Sequence, residues 1–381
     1  MIGPFPATEF LELHRRLALT IAPSNGEEPR RRLLADLLDS HGIAHHSDNA
    51  GNLIASVGNG PWQDSVVLDA HLDVVERGGA LEVHNDGECL RGLGVADDLA
   101  AVTVLALALV RLAQGGESFA RQLVFLFSTG EEGLGNLRGV RQFVADRRHA
   151  PFAFISFDGT RETFSLTALG SQRYQIEAQT PGGHSWAGFG QPNAIEIVLD
   201  FLAKIREDWR VATANAGEQP SSYNFGTIQG GQGINSIARH ARATFEFRSV
   251  AQGILQQLDA DARRAVEQLQ TDCPGSDLRL QLLGERPAGT ACHRDRLLPL
   301  VDAVLGQNVG SPPREVPMST NINVPLAHEW PAVCLGLCQS GNAHREDEYV
   351  RLDSLPSGWH GLNHLLQFLL SEELTSRCVD D

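Results

Sequence analysis

Apolar positions in this chain follow two rhythms, and the change between them divides it. Residues 7–21 and 29–41 carry apolar side chains at helical spacing, and the apolar run 99–112 is long enough for a buried helix. Between and after them lie short β-branched or aromatic runs that read as buried strands. Val66-Val67-Leu68 leads through Asp69-Ala70 into His71, Leu123 to Phe127 empties into a Gly-Glu-Glu turn, Phe152 to Phe157 ends at Asp158, and Val333 to Leu337 follows far downstream. Strands alternating with helices predict an α/β domain, a mixed sheet sandwiched by helices. Near Thr167 the order changes to strand 174–180, helix 193–209, strands 223–229 and 242–248, helix 252–270 and strand 278–283. That βαββαβ order predicts an inserted α+β domain of ferredoxin-like type. The expected division is 1–168 for the first part of the α/β domain, 169–285 for the insert and 286–381 for the return.

Composition narrows this only a little. At 381 residues with 42% hydrophobic content, the chain has material for two cores. A net charge of −16 opposes binding to nucleic acid or to anionic membranes. The first residues lack the basic start and apolar core of a secretory signal, and the run 99–112 is too short to span a bilayer. Six dispersed cysteines suggest no disulfide scaffold, and Cys334 and Cys338 read as core thiols, so a reducing cytoplasm is expected.

Chemistry enters with a ladder of ligand-type residues: His71, Asp97, Glu132, Asp158 and His344. Four of them follow predicted strands, whose carboxyl ends are where open α/β sheets bind ligands. Asp97 stands before the 99–112 helix, where alone it reads equally as an N-cap. Two histidines and three acids suit a pair of zinc ions sharing one carboxylate. Asp73 is placed to accept the second imidazole N–H of His71. Glu131 reads either as a solvated turn residue or as a general base that takes a proton from metal-activated water. Adjacent His45 and His46 point to opposite sides of an extended segment, and His360 and His364 read as a helix face without an accompanying acid motif.

The phrases Asp69-Ala-His-Leu-Asp73, Gly94-Val-Ala-Asp-Asp98, Thr129-Gly-Glu-Glu-Gly133, Phe157-Asp-Gly159, Pro181-Gly-Gly-His-Ser-Trp186 and Gly341-Asn-Ala-His344 occur in this order along nearly the whole chain. Together they resemble the dinuclear-zinc metallopeptidases that include peptidase T, carboxypeptidase G, aminoacylase and acetylornithine deacetylase, with the nearest likeness to peptidase T-type small-peptide hydrolases. The resemblance implies that His71 and Asp158 hold one Zn2+, Glu132 and His344 the other, with Asp97 bridging them, Co2+ or Mn2+ being possible substitutes. It implies a cis Asp97–Asp98 peptide and Glu131 as base. It gives His184 a carbonyl-polarising role exerted across a homodimer built through the inserted lid, and places Asn235, Arg248, Asn321 and Gly341 at the substrate. Two positions depart from the pattern: Leu99 stands where relatives often have Lys, and Asn321 where the nearest group often has Asp. The expected activity is hydrolysis of an amide bond in a small peptide, or else deacylation of an N-acyl amino acid, with a metal-binding protein that has lost catalysis as the third reading.

Overall fold

Four strands, Leu123–Ser128, Val66–His71, Ala153–Ser156 and Ala332–Leu335, run parallel side by side in the computed structural model of the protein. The structure describes residues 1–75, 81–115, 121–214, 217, 220–306 and 312–370. These strands are buried throughout, as continuous apolar runs require when helices cover both faces of a parallel sheet. Antiparallel Leu53–Val57 and His45–Ser47 extend the sheet at one edge, and Thr163–Ser165 with Arg314–Glu315 complete its eight strands at the other. Flanking helices include Ala7–Ala18, Leu99–Gln114, Arg294–Leu305 and Leu355–Leu370, a mixed α/β arrangement of the expected class. In Leu99–Gln114 the side chains from Leu99 to Val110 are all buried, which explains a run with so little helical periodicity.

A second, smaller sheet matters for the chemistry. Its strands are Ser340–Gly341, Tyr349–Arg351, Cys89–Arg91 and His84–Asn85, in that order. Tyr349 pairs with Arg91, Val350 with Leu90 and Arg351 with Cys89, so the segment leading to Asp97 and the one following His344 are zipped together. His344 is therefore delivered by this hairpin rather than directly by the end of the Ala332–Leu335 strand.

The chain divides into two compact units, 1–168 with 290–381, and 169–289. The strand Asp277–Arg286 stays paired through Arg286, so the second unit ends beyond residue 285. Within that unit the sheet order is Ser221–Gly230, His240–Ser249, Gly170–Gln179, Asp277–Arg286, antiparallel throughout. Alternate residues Tyr174, Ile176, Ala178, Phe245 and Phe247 join Phe201 and Trp209 of the Ala194–Ala214 helix in one core, as period-two strands with a single covered face must.

Among the described residues no helix is long and apolar enough to cross a membrane, and the five described cysteines are all free. Cys334 and Cys338 are buried, although Cys338 lies past the end of its strand. Cys378 falls outside the described residues.

One core histidine makes acid stability predictable. His14 is fully buried against Phe10, with ring centroids 5.2 Å apart, and its Nδ1 lies 3.3 Å from the Thr103 hydroxyl. Burial holds its pKa down at about 4. Since the unfolded chain protonates this imidazole near pH 6.5 and the folded chain does not, stability falls as pH drops from about 6.5 to about 4, by on the order of 3 kcal/mol. Urea unfolding across that range should show a smaller loss for His14→Leu than for the wild type. Parallel profiles would refute the assignment.

Candidate metal and active site

Both predicted histidines converge on one carboxylate. His71 ends its strand and places Nε2 3.0 Å from Asp97 Oδ1, while His344 Nε2 lies 3.2 Å from Asp97 Oδ2 and 2.8 Å from Glu132 Oε1. Asp97 thus turns one oxygen to each imidazole. Three overlapping groups have ligand atoms within 4.8 Å of one another: His71 with Asp97 and Asp158, Asp97 with Glu132 and His344, and His71 with Glu131 and Glu132. All five predicted ligands and Glu131 fall in these groups. The histidines at 45, 46, 360 and 364 fall in none of them.

Several sequence expectations are corrected by the geometry. Asp97 is not a helix cap: Asp98 occupies the N-cap position of Leu99–Gln114, and the Asp97 side chain faces the histidines. The Asp97–Asp98 peptide is cis. The N–H at Nδ1 of His71 goes to the Asp73 backbone carbonyl at 2.9 Å, whereas the Asp73 carboxylate lies 3.7 Å away. That carboxylate accepts hydrogen bonds from the amides of Glu131 at 3.0 Å and Glu132 at 2.8 Å, and from the Ser24 hydroxyl at 2.6 Å. Asp73 therefore orients the imidazole through its main chain and the glutamate pair through its side chain. Glu131 and Glu132 are both 4% exposed, which rules out a solvated turn.

Asn321 is also misplaced by the sequence reading. Only 1% exposed, it donates from Nδ2 to Asp69 Oδ2 at 2.9 Å and to Ser128 Oγ at 2.8 Å, joining the His71 strand to its neighbour. It braces the sheet instead of facing a substrate. Gly341 sits where an added Cβ would come within 2.7 Å of the Tyr349 hydroxyl, so a side chain there would displace that ring. Leu99 is fully buried at the start of its helix.

In the second unit, His184 and Asn235 meet on a short ribbon. Gly183 pairs with Ile237 and His184 with Ser236, and the Ser185 amide donates to the Asn235 carbonyl at 3.0 Å. His184 is exposed, and its Nδ1 accepts from the amides of Trp186 at 3.2 Å and Ala187 at 3.4 Å. An accepting Nδ1 leaves the proton on Nε2, which is then a donor. Arg248 is half-buried on an inner strand of this unit's sheet and forms a two-pronged pair with Glu246, at 3.1 and 3.2 Å.

Residues without ligand spacing hold the site together. Glu27 accepts the Gly130 amide at 2.9 Å, and the Asn52 side chain accepts the Thr129 amide at 3.0 Å, fixing the loop that carries Glu131. Arg30, fully buried with its pKa lowered to about 10 by that burial, donates to the carbonyls of Leu17, Thr20 and Leu72. Asp98 accepts the His71 amide at 3.0 Å, and Glu348 accepts amides on both sides of the site. Their partners are backbone groups, many of them far away in sequence, so no spacing rule reveals them.

Charge crowding dominates the electrostatics. Burial and the nearby Asp97 push the Asp158 pKa well above the carboxylate range, and burial does the same to Asp98. Although burial opposes it, bonding to Asp97 raises the pKa of His71, and hydrogen bonds to Asp97 and Glu132 raise that of His344 to about 10. Those histidine bonds pull Asp97 down against its own burial. Protons on the imidazoles stand in for the cations that this concentration of acid calls for.

Residues 67–367 match the model of peptidase family M20/M25/M40. The chain belongs to this family. It shares 25% identity over 375 residues with an acetylornithine deacetylase of Photorhabdus laumondii, covering 90% of this chain and 92% of that protein. A peptidase M20 domain-containing protein of Schizosaccharomyces pombe is 30% identical over 187 residues, but that match spans only 44% of the relative's length and 48% of this chain. A Staphylococcus aureus tripeptidase structure superposes with TM-score 0.79 at 14% identity, covering 97% of this chain and 100% of that one. The aminopeptidase PepT of Bacillus cereus gives 0.76 at 17% identity with the same coverage. The structural likenesses establish the fold of the M20 exopeptidases. Family membership makes this chain a hydrolase of amide bonds.

The Asn321 brace yields a prediction. Asn321→Asp sets a carboxylate against Asp69 Oδ2, so stability at pH 7 should fall by about 2 kcal/mol or more. The loss should shrink as pH falls and the pair takes up a proton, as measured by urea unfolding at pH 7 and pH 5. Wild-type stability at pH 7 would show that Asn321 braces nothing.

Proposed function

We propose that this M20-family protein is a dinuclear-zinc hydrolase that cleaves an amide bond of a small peptide, of aminopeptidase, tripeptidase or dipeptidase type. The observation that carries the reading is the Asp97 carboxylate with one oxygen toward each of two histidines. Its donor set fits two ions: His71 and Asp158 on one side, Glu132 and His344 on the other, and Asp97 between. Bound zinc, or Co2+ or Mn2+ in its place, supplies Lewis acidity toward a carbonyl oxygen and toward water.

The chain's own groups do the rest. Glu131, buried beside His71 and Glu132, takes the proton of the attacking water and hands it to the leaving nitrogen. Asp73 keeps that glutamate aimed by gripping its amide. His184 offers its Nε2 proton to the substrate oxygen, and Asn235, its neighbour on the ribbon, supplies further polar contact. Arg248 meets the substrate carboxylate after yielding part of its pair with Glu246, and Gly341, at the substrate in the same reading, admits the Tyr349 ring beside it.

The reading includes a homodimer formed through the second unit, in which His184 acts on the partner's substrate. Around His184 the side chains of Trp186 and Phe189 are 86% and 92% exposed and Ile234 is fully exposed, while Ser221–Gly230 is an edge strand. Apolar surface and an unpaired edge of this kind favour association. A cytoplasmic location fits the free thiols.

One observation favours a second reading, deacylation of an N-acyl amino acid. Asn321 is buried and carries no carboxylate, so it offers no charged partner to a free substrate amine. The near full-length relative among the deacetylases points the same way.

Zinc-loaded protein should hydrolyse free-amine di- and tripeptides, and Glu131→Gln should keep its zinc content while losing about 10²–10⁴-fold in kcat. Metal analysis alongside turnover decides the matter. Wild-type kcat in Glu131→Gln would remove the base assignment, and turnover confined to N-acetyl or N-succinyl amino acids would select the deacylase.

A further inference from the structure

Glu348 lies outside every ligand group yet touches both segments that carry the shared carboxylate and the terminal histidine. The side chain is 1% exposed. Its Oε1 accepts the amides of Ala96 at 2.8 Å and Asp97 at 3.0 Å, and its Oε2 accepts the His344 amide at 3.1 Å. Its own carbonyl accepts the Gly92 amide at 2.9 Å. One carboxyl group therefore ties together two backbone segments separated by more than two hundred residues of chain.

The tie acts where the backbone most needs it. His344 has φ +66° and Asn342 φ +60°, the left-handed region that non-glycine residues occupy only when their surroundings hold them there. On the other segment, the residues donating to Oε1 are the bridging Asp97 and its predecessor. Next to the tie, the ladder Tyr349–Arg91, Val350–Leu90 and Arg351–Cys89 fixes the register. The carboxylate then sets how far the His344 main chain stands from that of Asp97.

Resting on the dinuclear reading above, we propose that Glu348 is a positioning residue that sets the separation of Asp97 and His344 and so determines zinc affinity at the ion they share. Its chemistry suits the task. A carboxylate presents acceptors on both oxygens, so it can serve three amides at once. Glutamine keeps one acceptor and turns an N–H2 group toward amide donors on the other arm, freeing one of the two segments. Aspartate is a methylene short of spanning them.

The test uses full-length protein, zinc as the probe, and the variants Glu348→Gln, His344→Ala and their combination. In metal-free protein, hydrogen exchange of one of the two peptides covering residues 92–98 and 342–348 should accelerate on the order of tenfold in Glu348→Gln, the equivalent of losing one or two hydrogen bonds. Melting of the whole protein should stay near that of the wild type. Zinc affinity, measured by competition with a chromophoric chelator, should fall by about 10–100-fold. In the His344→Ala background, Glu348→Gln should change zinc affinity by no more than about twofold, because residues acting through one another are not additive. Unchanged affinity in Glu348→Gln, or an equal loss with and without His344, would overturn the positioning role while leaving the metal centre intact. If His344→Ala itself binds zinc as tightly as the wild type, the dinuclear reading fails and the proposal fails with it.

Discussion

Negative charge crowded around one half-buried carboxylate is the constraint to which the first unit is built. Asp97, its side chain 19% exposed, cannot stay ionised with Asp98, Glu131, Glu132 and Asp158 around it unless cationic groups stand close, and its two oxygens each face an imidazole. The raised pKa values of Asp158 and Asp98 and the retained protons on His71 and His344 are consequences of the same crowding. Divalent cations satisfy it more completely than protons do, since each neutralises two charges and accepts several oxygen and nitrogen donors.

Holding such a cluster takes more structure than the ligands themselves. Parallel strands bring His71, the glutamate pair and Asp158 to one end of the sheet, and the small four-stranded sheet brings Asp97 and His344 together from distant parts of the chain. Behind them, buried polar side chains spend their hydrogen bonds on backbone amides: Asp73 on Glu131 and Glu132, Glu27 on Gly130, Asn52 on Thr129 and Glu348 on Asp97 and His344. A ligand set held within a few tenths of an ångström depends on this outer layer.

The sequence disclosed what periodicity and side-chain chemistry encode. Continuous apolar runs located the strands at Val66, Leu123 and Ala153, and the βαββαβ order after Thr167 marked the second unit. Ligand-type residues after those runs named His71, Glu132 and Asp158, because imidazole and carboxylate at strand ends have few other uses, and Asp97 and His344 joined them only through the ordered set of motifs. What stayed hidden depends on where side chains point. Asp73 stands two residues after His71, which suggested contact between side chains, but the backbone turns so that its carbonyl meets the imidazole. Asn321 sits in a motif associated with substrate, yet its amide is consumed by Asp69 and Ser128. Glu348 carried no signal, since its partners are main-chain groups that look alike at every position.

Anomalous diffraction at the zinc absorption edge from crystals of the zinc-loaded protein tests the dinuclear centre most directly. Two peaks roughly 3.5–4 Å apart, one against His71 and Asp158, the other against Glu132 and His344, with the Asp97 carboxylate between, are the expected result. A single peak, or peaks that leave Asp97 without a metal on either oxygen, would contradict it.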